Sequence, residues 1–188
     1  MTRQITDRRT RKRPPANFSA VMLLCGFFIW IYLPEVQAEQ PSEYRLKVAF
    51  LYNFVAYTEW PEQVSQSLDY CIYGDDPFGT NLQYLRQRKV NKQEVVVKYP
   101  ADLHELAGCQ AVFIARSVID NLSAILALLH GKPVLTIADT PGSCQQGVMI
   151  NMAISEGKVV FEANLAAAKQ NGLRLSAQLL RFATEVYQ

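Results

Sequence analysis

Between Glu43 and Pro61 the chain reads EYRLKVAFLYNFVAYTEWP, and its apolar positions recur at helical steps. Leu46, Ala49, Phe50, Asn53, Phe54 and Tyr57 follow at intervals of three and four, so they share one face of a helix. Val48, Leu51, Tyr52 and Val55 make much of the remainder apolar, and such a helix must be buried on more than one side. Pro61 disfavours helical geometry at Trp60 and is expected to end the run there. The pattern predicts a core helix around which later strands pack.

The rest alternates between strand and helix. Ser67 to Gly74 (SLDYCIYG) reads as a first strand. Asp75-Asp76-Pro77 then looks like a helix start, an acidic cap with proline at the first helical position, and that helix runs to about Arg86. Glu94 to Tyr99 is a second strand stopped by Pro100, and Asp102 to Ala107 a helical turn. Ala111 to Ala115 is short and continuously apolar, as a buried parallel strand should be. Ser117 is expected to cap a helix with Leu122, Ile125, Leu126 and Leu129 on one face, ending at Gly131, before a fourth strand from Pro133 to Ala138. Val148 to Ile154 and Lys158 to Glu162 flank Ser155-Glu156-Gly157 at hairpin spacing. Helices from Leu165 to Asn171 and from Ser176 to Val186 close the chain. The expected fold is α/β, a mostly parallel central sheet between helices with an antiparallel edge hairpin.

Residues 1–38 stand apart. Arg3, Arg8, Arg9, Arg11, Lys12 and Arg13 precede an uncharged apolar run from Phe18 to Leu33, and Val36-Gln37-Ala38 supplies small residues for a signal peptidase. The run is ~16 residues, short of the ~20 that span a bilayer, and Pro34 follows it. Cleavage after Ala38 is expected, leaving one periplasmic domain, residues 39–188, without a membrane span. Cys25 lies mid-run behind Leu23-Leu24, which does not suit a lipid-anchoring site. The whole chain's net charge of +2 arises from this segment, which has six basic and two acidic residues, since the mature chain holds 13 basic and 15 acidic residues. No Lys/Arg cluster survives in the mature chain on this reading, so no nucleic-acid partner is expected.

Catalytic chemistry is hard to find. His104 lies in a polar turn and His130 in the last turn of a helix, where its charge would suit the dipole. No nucleophile elbow, zinc-helix or phosphate-loop motif occurs. Asp75 and Asp76, at the C-terminal end of the first strand, could anchor a metal or ligand, but capping and a tight turn explain them as well. No cofactor is implied. Of the cysteines, Cys71, Cys109 and Cys144 remain after export, which allows three single pairings. Cys71 inside the first strand and Cys109 just before the third could lie close in a parallel sheet. Cys144 lies in the turn-rich PGSCQQG, where it is either a free or intermolecular thiol or an inert, partly buried residue. Near the C terminus Glu162 and Asn164 end a strand, with Lys169, Arg174, Ser176 and Arg181 following. These residues form either a solvated helix face with an N-cap at Ser176, or a polar patch for a partner or small ligand.

Four stretches in order, KVAFLYNFVAYTEWP (47–61), CIYGDDPFG (71–79), KPVLTIADTPGSCQQGVMINM (132–152) and VVFEANLAAAKQNGLRLSAQLLRFA (159–183), resemble the YfiR-like family of periplasmic proteins. The resemblance implies an α/β domain without catalysis, a homodimer, that represses an inner-membrane diguanylate cyclase by binding its periplasmic region. It also implies release by an OmpA-like outer-membrane lipoprotein, and so control of cyclic di-GMP and biofilm formation. It favours the Cys71–Cys109 pairing and places the family's partner-facing glutamate and arginine on Glu162 and Arg174. Some members carry a second disulfide from the position of Cys144 to a cysteine seven residues on; that position is Asn151 here, so the bridge cannot form within this chain. The alternative function is a periplasmic sensor or carrier holding a small molecule between the C-terminal helices, lined by Tyr57, Trp60 and Phe161. An enzyme built on Asp75 and Asp76 is a third reading.

Overall fold

The structure, a computed structural model, describes residues 43–61 and 66–188. The expected export segment, residues 1–38 with Cys25, lies outside the described residues. The chain opens on helix α1 (Glu43–Ala56) and a short strand β1 (Thr58–Glu59). Strand β2 (Ser67–Tyr73) follows, then a 3-10 turn (Gly79–Leu82) leading into α2 (Gln83–Arg86). Next come β3 (Lys89–Val90), β4 (Gln93–Lys98) and a 3-10 segment (Leu103–Gly108). After β5 (Ala111–Ile114) a second 3-10 segment (Arg116–Asn121) runs into α3 (Leu122–Leu129) and on to β6 (Leu135–Ala138). The hairpin β7 (Ile150–Ser155) and β8 (Lys158–Asn164) leads through α4 (Leu165–Gln170) to β9 (Arg174–Leu175), α5 (Ala177–Leu180) and β10 (Glu185–Tyr187).

The main sheet has eight strands in the order β10-β8-β7-β6-β5-β2-β4-β3, and β1 pairs with β9 in a separate two-stranded ribbon. From β4 through β2, β5 and β6 to β7 every pairing is parallel, and β7–β8 is antiparallel. This is the mixed α/β fold that the apolar pattern predicts. The hairpin lies toward one edge with β10 outside it, parallel to β8. All four residues of β5 and of β6 are buried, because helices cover both faces of the sheet. Ala111 and Phe113 join the core beneath α1, and Val112 and Ile114 the core beneath α3, as strand alternation requires.

Several predicted boundaries move. Helix α1 ends at Ala56, well before Pro61. Thr58 Oγ1 donates to the Phe54 carbonyl at 2.7 Å, and the chain leaves the helix to pair Thr58 and Glu59 with Leu175 and Arg174. Its buried residues are Lys47, Val48, Leu51, Phe54 and Val55, while Phe50, Asn53 and Tyr57 are only half-buried. Ser117 does not cap a helix; its hydroxyl accepts from the Asp75 backbone N–H at 2.8 Å. The expected helix from Ser176 to Val186 is only four residues long. Both the N–H and the hydroxyl of Thr184 donate to the Phe161 carbonyl, drawing the chain into β10 alongside β8.

Candidate functional site

A doubly wound sheet offers a crevice outside the carboxyl ends of its strands, where the strand order reverses. Here the chain passes from β2 out to β4 and returns beyond β2 to β5, so the reversal lies between β2 and β5. That crevice is shut. Gly74 has φ +93°, and a Cβ there would meet Ser117 Oγ at 2.7 Å and Ala115 Cβ at 3.0 Å. The Asp75–Ser117 hydrogen bond ties the two loops together. Asp76 is spent on its own turn: Oδ1 accepts from the N–H groups of Phe78 and Gly79, and Oδ2 from the Tyr99 hydroxyl. Neither carboxylate is grouped with other potential metal ligands among the described residues.

Beside the crevice lies an ion cluster that the sequence reading did not single out. Lys47, fully buried, reaches Asp139 Oδ2 at 2.7 Å and pairs with Glu43 one turn earlier. Asp139, just past β6, also accepts from Arg116 Nε at 3.2 Å, while Arg116 Nη2 donates to the Asp139 carbonyl at 3.0 Å. The adjacent Asp139 charge raises the Arg116 pKa, so that guanidinium is held ionised. The Tyr44 ring lies 4.9 Å from Lys47 Nζ. Each buried charge has opposite partners, the condition under which such charges are tolerated. The available signal was a lone lysine inside an apolar helix and an aspartate directly after a mostly apolar strand.

Open space lies on the other flank of α1. Phe50 and Asn53 from that helix and Tyr57 just past it, Val159 to Phe161 from β8, and Gln178, Leu179 and Phe182 from α5 and its exit enclose a groove of about 470 Å3. Phe161 closes the floor, with its ring edge-on to Phe54 at 5.1 Å and to Phe50 at 6.4 Å. Gln178 Nε2 donates to the Tyr57 hydroxyl at 3.2 Å on the rim. Phe182 is 69% exposed, the highest fraction for a large apolar side chain among the described residues. Tyr57 and Phe161 are therefore in the cavity expected of them, though its walls are α1, β8 and α5. Trp60 stands elsewhere, with Nε1 donating to the Gln110 carbonyl at 3.3 Å.

The C-terminal candidates do not form one patch. Asn164 caps α4, accepting from the Ala167 N–H at 2.8 Å, and its amide donates to the Cys144 carbonyl. Ser176 caps α5 through the Leu179 N–H at 3.1 Å. Both side chains are engaged in capping, the role the sequence also allowed for Ser176. Arg174 is exposed on β9, 3.7 Å from Glu59 on β1. Glu162 sits opposite Asn151 in the β7–β8 register, and Oε2 of the one and Oδ1 of the other are buried without a hydrogen-bond partner among the described residues.

Cys71 and Cys109 form a disulfide, their Cα atoms 6.0 Å apart, tying β2 to the segment entering β5. Cys144 is free and fully buried. The PGSCQQG loop folds back on itself, with the Val148 N–H donating to the Ser143 carbonyl and the Gly147 N–H to that of Cys144. Burial, reinforced by the Glu162 carboxylate, pushes the thiol up to about 12.

The YfiR/HmsC-like family model matches residues 44–184, nearly the whole described chain. The fold resembles a crystal structure titled conserved domain protein from Vibrio cholerae O1 biovar El Tor str. N16961. The TM-score is 0.52 at 8% identity, covering 77% of this chain and 60% of that one. That likeness concerns the fold alone, and the present chain spans 60% of the Vibrio chain's length.

Proposed function

The chain belongs to the YfiR/HmsC-like family, and from that membership we propose that it is a periplasmic regulatory protein of cyclic di-GMP signalling. It binds the periplasmic region of an inner-membrane diguanylate cyclase and represses it, without chemistry of its own. An OmpA-like outer-membrane lipoprotein releases the cyclase by sequestering the repressor, and biofilm formation follows. Residues 1–38 are removed on export, and the mature protein acts as a homodimer. The observation that carries the reading is the open apolar groove with Phe182 at its mouth. Exposed aromatic side chains beside a cavity are the anchors on which protein interfaces concentrate their binding energy. Arg174, exposed on β9, and Glu162 on β8 supply the charged contacts of this reading.

The test is cellular cyclic di-GMP in a strain lacking the protein. A rise that an exported copy reverses is expected; an unchanged level with the cyclase present contradicts repression. Light scattering on the exported protein reads the dimer. The groove volume also lies within the ~300–1,000 Å3 range of small-ligand sites, which favours a sensor or carrier as the second reading. Because a ligand specific for the native state raises its melting temperature, a thermal-shift screen with amino acids, nucleotides and cofactors decides for or against that reading.

A further inference from the structure

Charge is unevenly distributed over the mature chain. Residues 86–98 hold five of its thirteen Lys and Arg (Arg86, Arg88, Lys89, Lys92 and Lys98) beside a single carboxylate, Glu94. The other eight are outnumbered by fourteen carboxylates. These cations do form a cluster, one that the linear reading overlooked. Its N-terminal part gathers at one sheet edge, at the end of α2, on β3 and in the tight β3–β4 turn. Lys89 is engaged by Glu94 at 3.2 Å. Lysine on an edge strand also guards against unwanted strand pairing, and that role suffices for Lys89.

It does not account for Arg86, Arg88 and Lys92. All three are exposed, and among the described residues none has an ion pair, although Arg86 Nη2 donates to the Tyr99 hydroxyl at 3.2 Å. Arg88 lies over two tyrosine rings at once, 4.5 Å from that of Tyr84 and 5.5 Å from that of Tyr52. The two rings meet edge-on at 6.4 Å, and Tyr84 is 40% exposed. The stack holds the Arg88 guanidinium in a fixed position at the surface, flanked by amphipathic rings. Tyrosine rings settle at the headgroup level of a bilayer, and clustered Lys and Arg are drawn to anionic lipid.

We propose that this cationic, tyrosine-flanked edge binds the surface of an anionic phospholipid bilayer. A membrane suits the arrangement better than an acidic peptide does, because the three cations are spread over a helix end and a hairpin turn. A plane of repeated negative headgroups can meet all three at once. The inference stands apart from the repressor reading, since the edge uses none of the groove residues. Its assay contains no cyclase, so the two can fail separately.

The test is co-sedimentation of the export-processed protein, recovered from the periplasmic fraction, with two kinds of vesicle. One contains phosphatidylethanolamine with phosphatidylglycerol, the other phosphatidylcholine alone. Pelleting with the anionic vesicles only, declining as salt is raised, is expected. At about fivefold in affinity per cation, replacing Arg86, Arg88 and Lys92 together by glutamine weakens binding roughly hundredfold. Lys92→Gln alone, in an exposed turn away from the tyrosine stack, loses about fivefold and reports even if the triple variant misfolds. Equal pelleting with both vesicles, pelleting with neither, or retention of full binding by a folded variant overturns the proposal. So does capture on immobilised polyglutamate without vesicle binding, which would assign the edge to an acidic protein.

Discussion

Two places in this molecule invite a ligand, and they are built in opposite ways. The crevice between β2 and β5 is where a doubly wound sheet ordinarily receives a small molecule. Here it is filled by its own loops, a close-packed glycine and a neighbouring ion cluster with every buried charge paired. The groove between α1, β8 and α5 lies off that axis, is lined by aromatic and aliphatic side chains, and leaves Phe182 in solvent. Interactions satisfied internally serve stability and have nothing left for a partner. Apolar surface left uncovered is costly to the isolated protein and gains value when something docks on it. The comparison separates a part of the fold that holds itself together from a part that waits for another molecule.

That separation can be broken at the crevice first, where the effects on stability are largest. Lys47→Ala leaves the buried Asp139 carboxylate with only the half-exposed Arg116 and should cost about 3–5 kcal/mol in urea unfolding. A loss under about 1 kcal/mol would mean that the cluster is not the internal staple described. Opening the Cys71–Cys109 bridge frees a loop of sequence separation 38 and should cost about 3–4 kcal/mol on the chain-entropy model; comparing melts of the native protein and the double serine variant measures it. Gly74→Ala places a Cβ against Ser117 and Ala115 at positive φ and should cost about 1–3 kcal/mol. An unchanged melt would show the crevice to be roomier than its contacts indicate.

Cys144 gives a smaller, pH-dependent effect. Its folded pKa, about 12, stands above the ordinary 9.0, so the native state keeps a proton that the unfolded chain gives up. The stabilisation is complete below about pH 9 and is lost as pH rises from there toward 12. Native protein should accordingly resist alkylation at pH 8 until denaturant is added; rapid labelling without denaturant would place the thiol at the surface.

The parallel middle of the fold was legible because Ser67–Gly74 alternates and Ala111–Ala115 and Pro133–Ala138 are short, largely apolar runs with clear stops, and both faces of a central strand are buried. Strands β1, β3, β9 and β10 were not, since two or three residues carry no periodicity and their pairing is decided by distant partners. The stretch after Ser176 has helical periodicity, yet the two bonds of Thr184 to Phe161 win over local preference. PGSCQQG has turn composition, and composition does not tell whether a turn folds outward or, as here, against β8. Of the groove, Tyr57 and Phe161 were within reach as aromatics near strand and helix ends. Phe182 was hidden in an expected helix, and the ion cluster joins residues 92 positions apart.

Phe182→Ser supplies the smallest change in stability and the sharpest reading of the comparison. At 69% exposure the side chain should cost within about 0.5 kcal/mol to replace. The decisive measurement is cellular cyclic di-GMP in the deletion strain carrying an exported Phe182→Ser copy at native abundance, beside one carrying the unaltered protein. The account predicts that the unaltered copy restores the low level and that the variant, equally stable, leaves cyclic di-GMP high. Full repression by the variant would contradict the assignment of the groove as the surface that meets the cyclase.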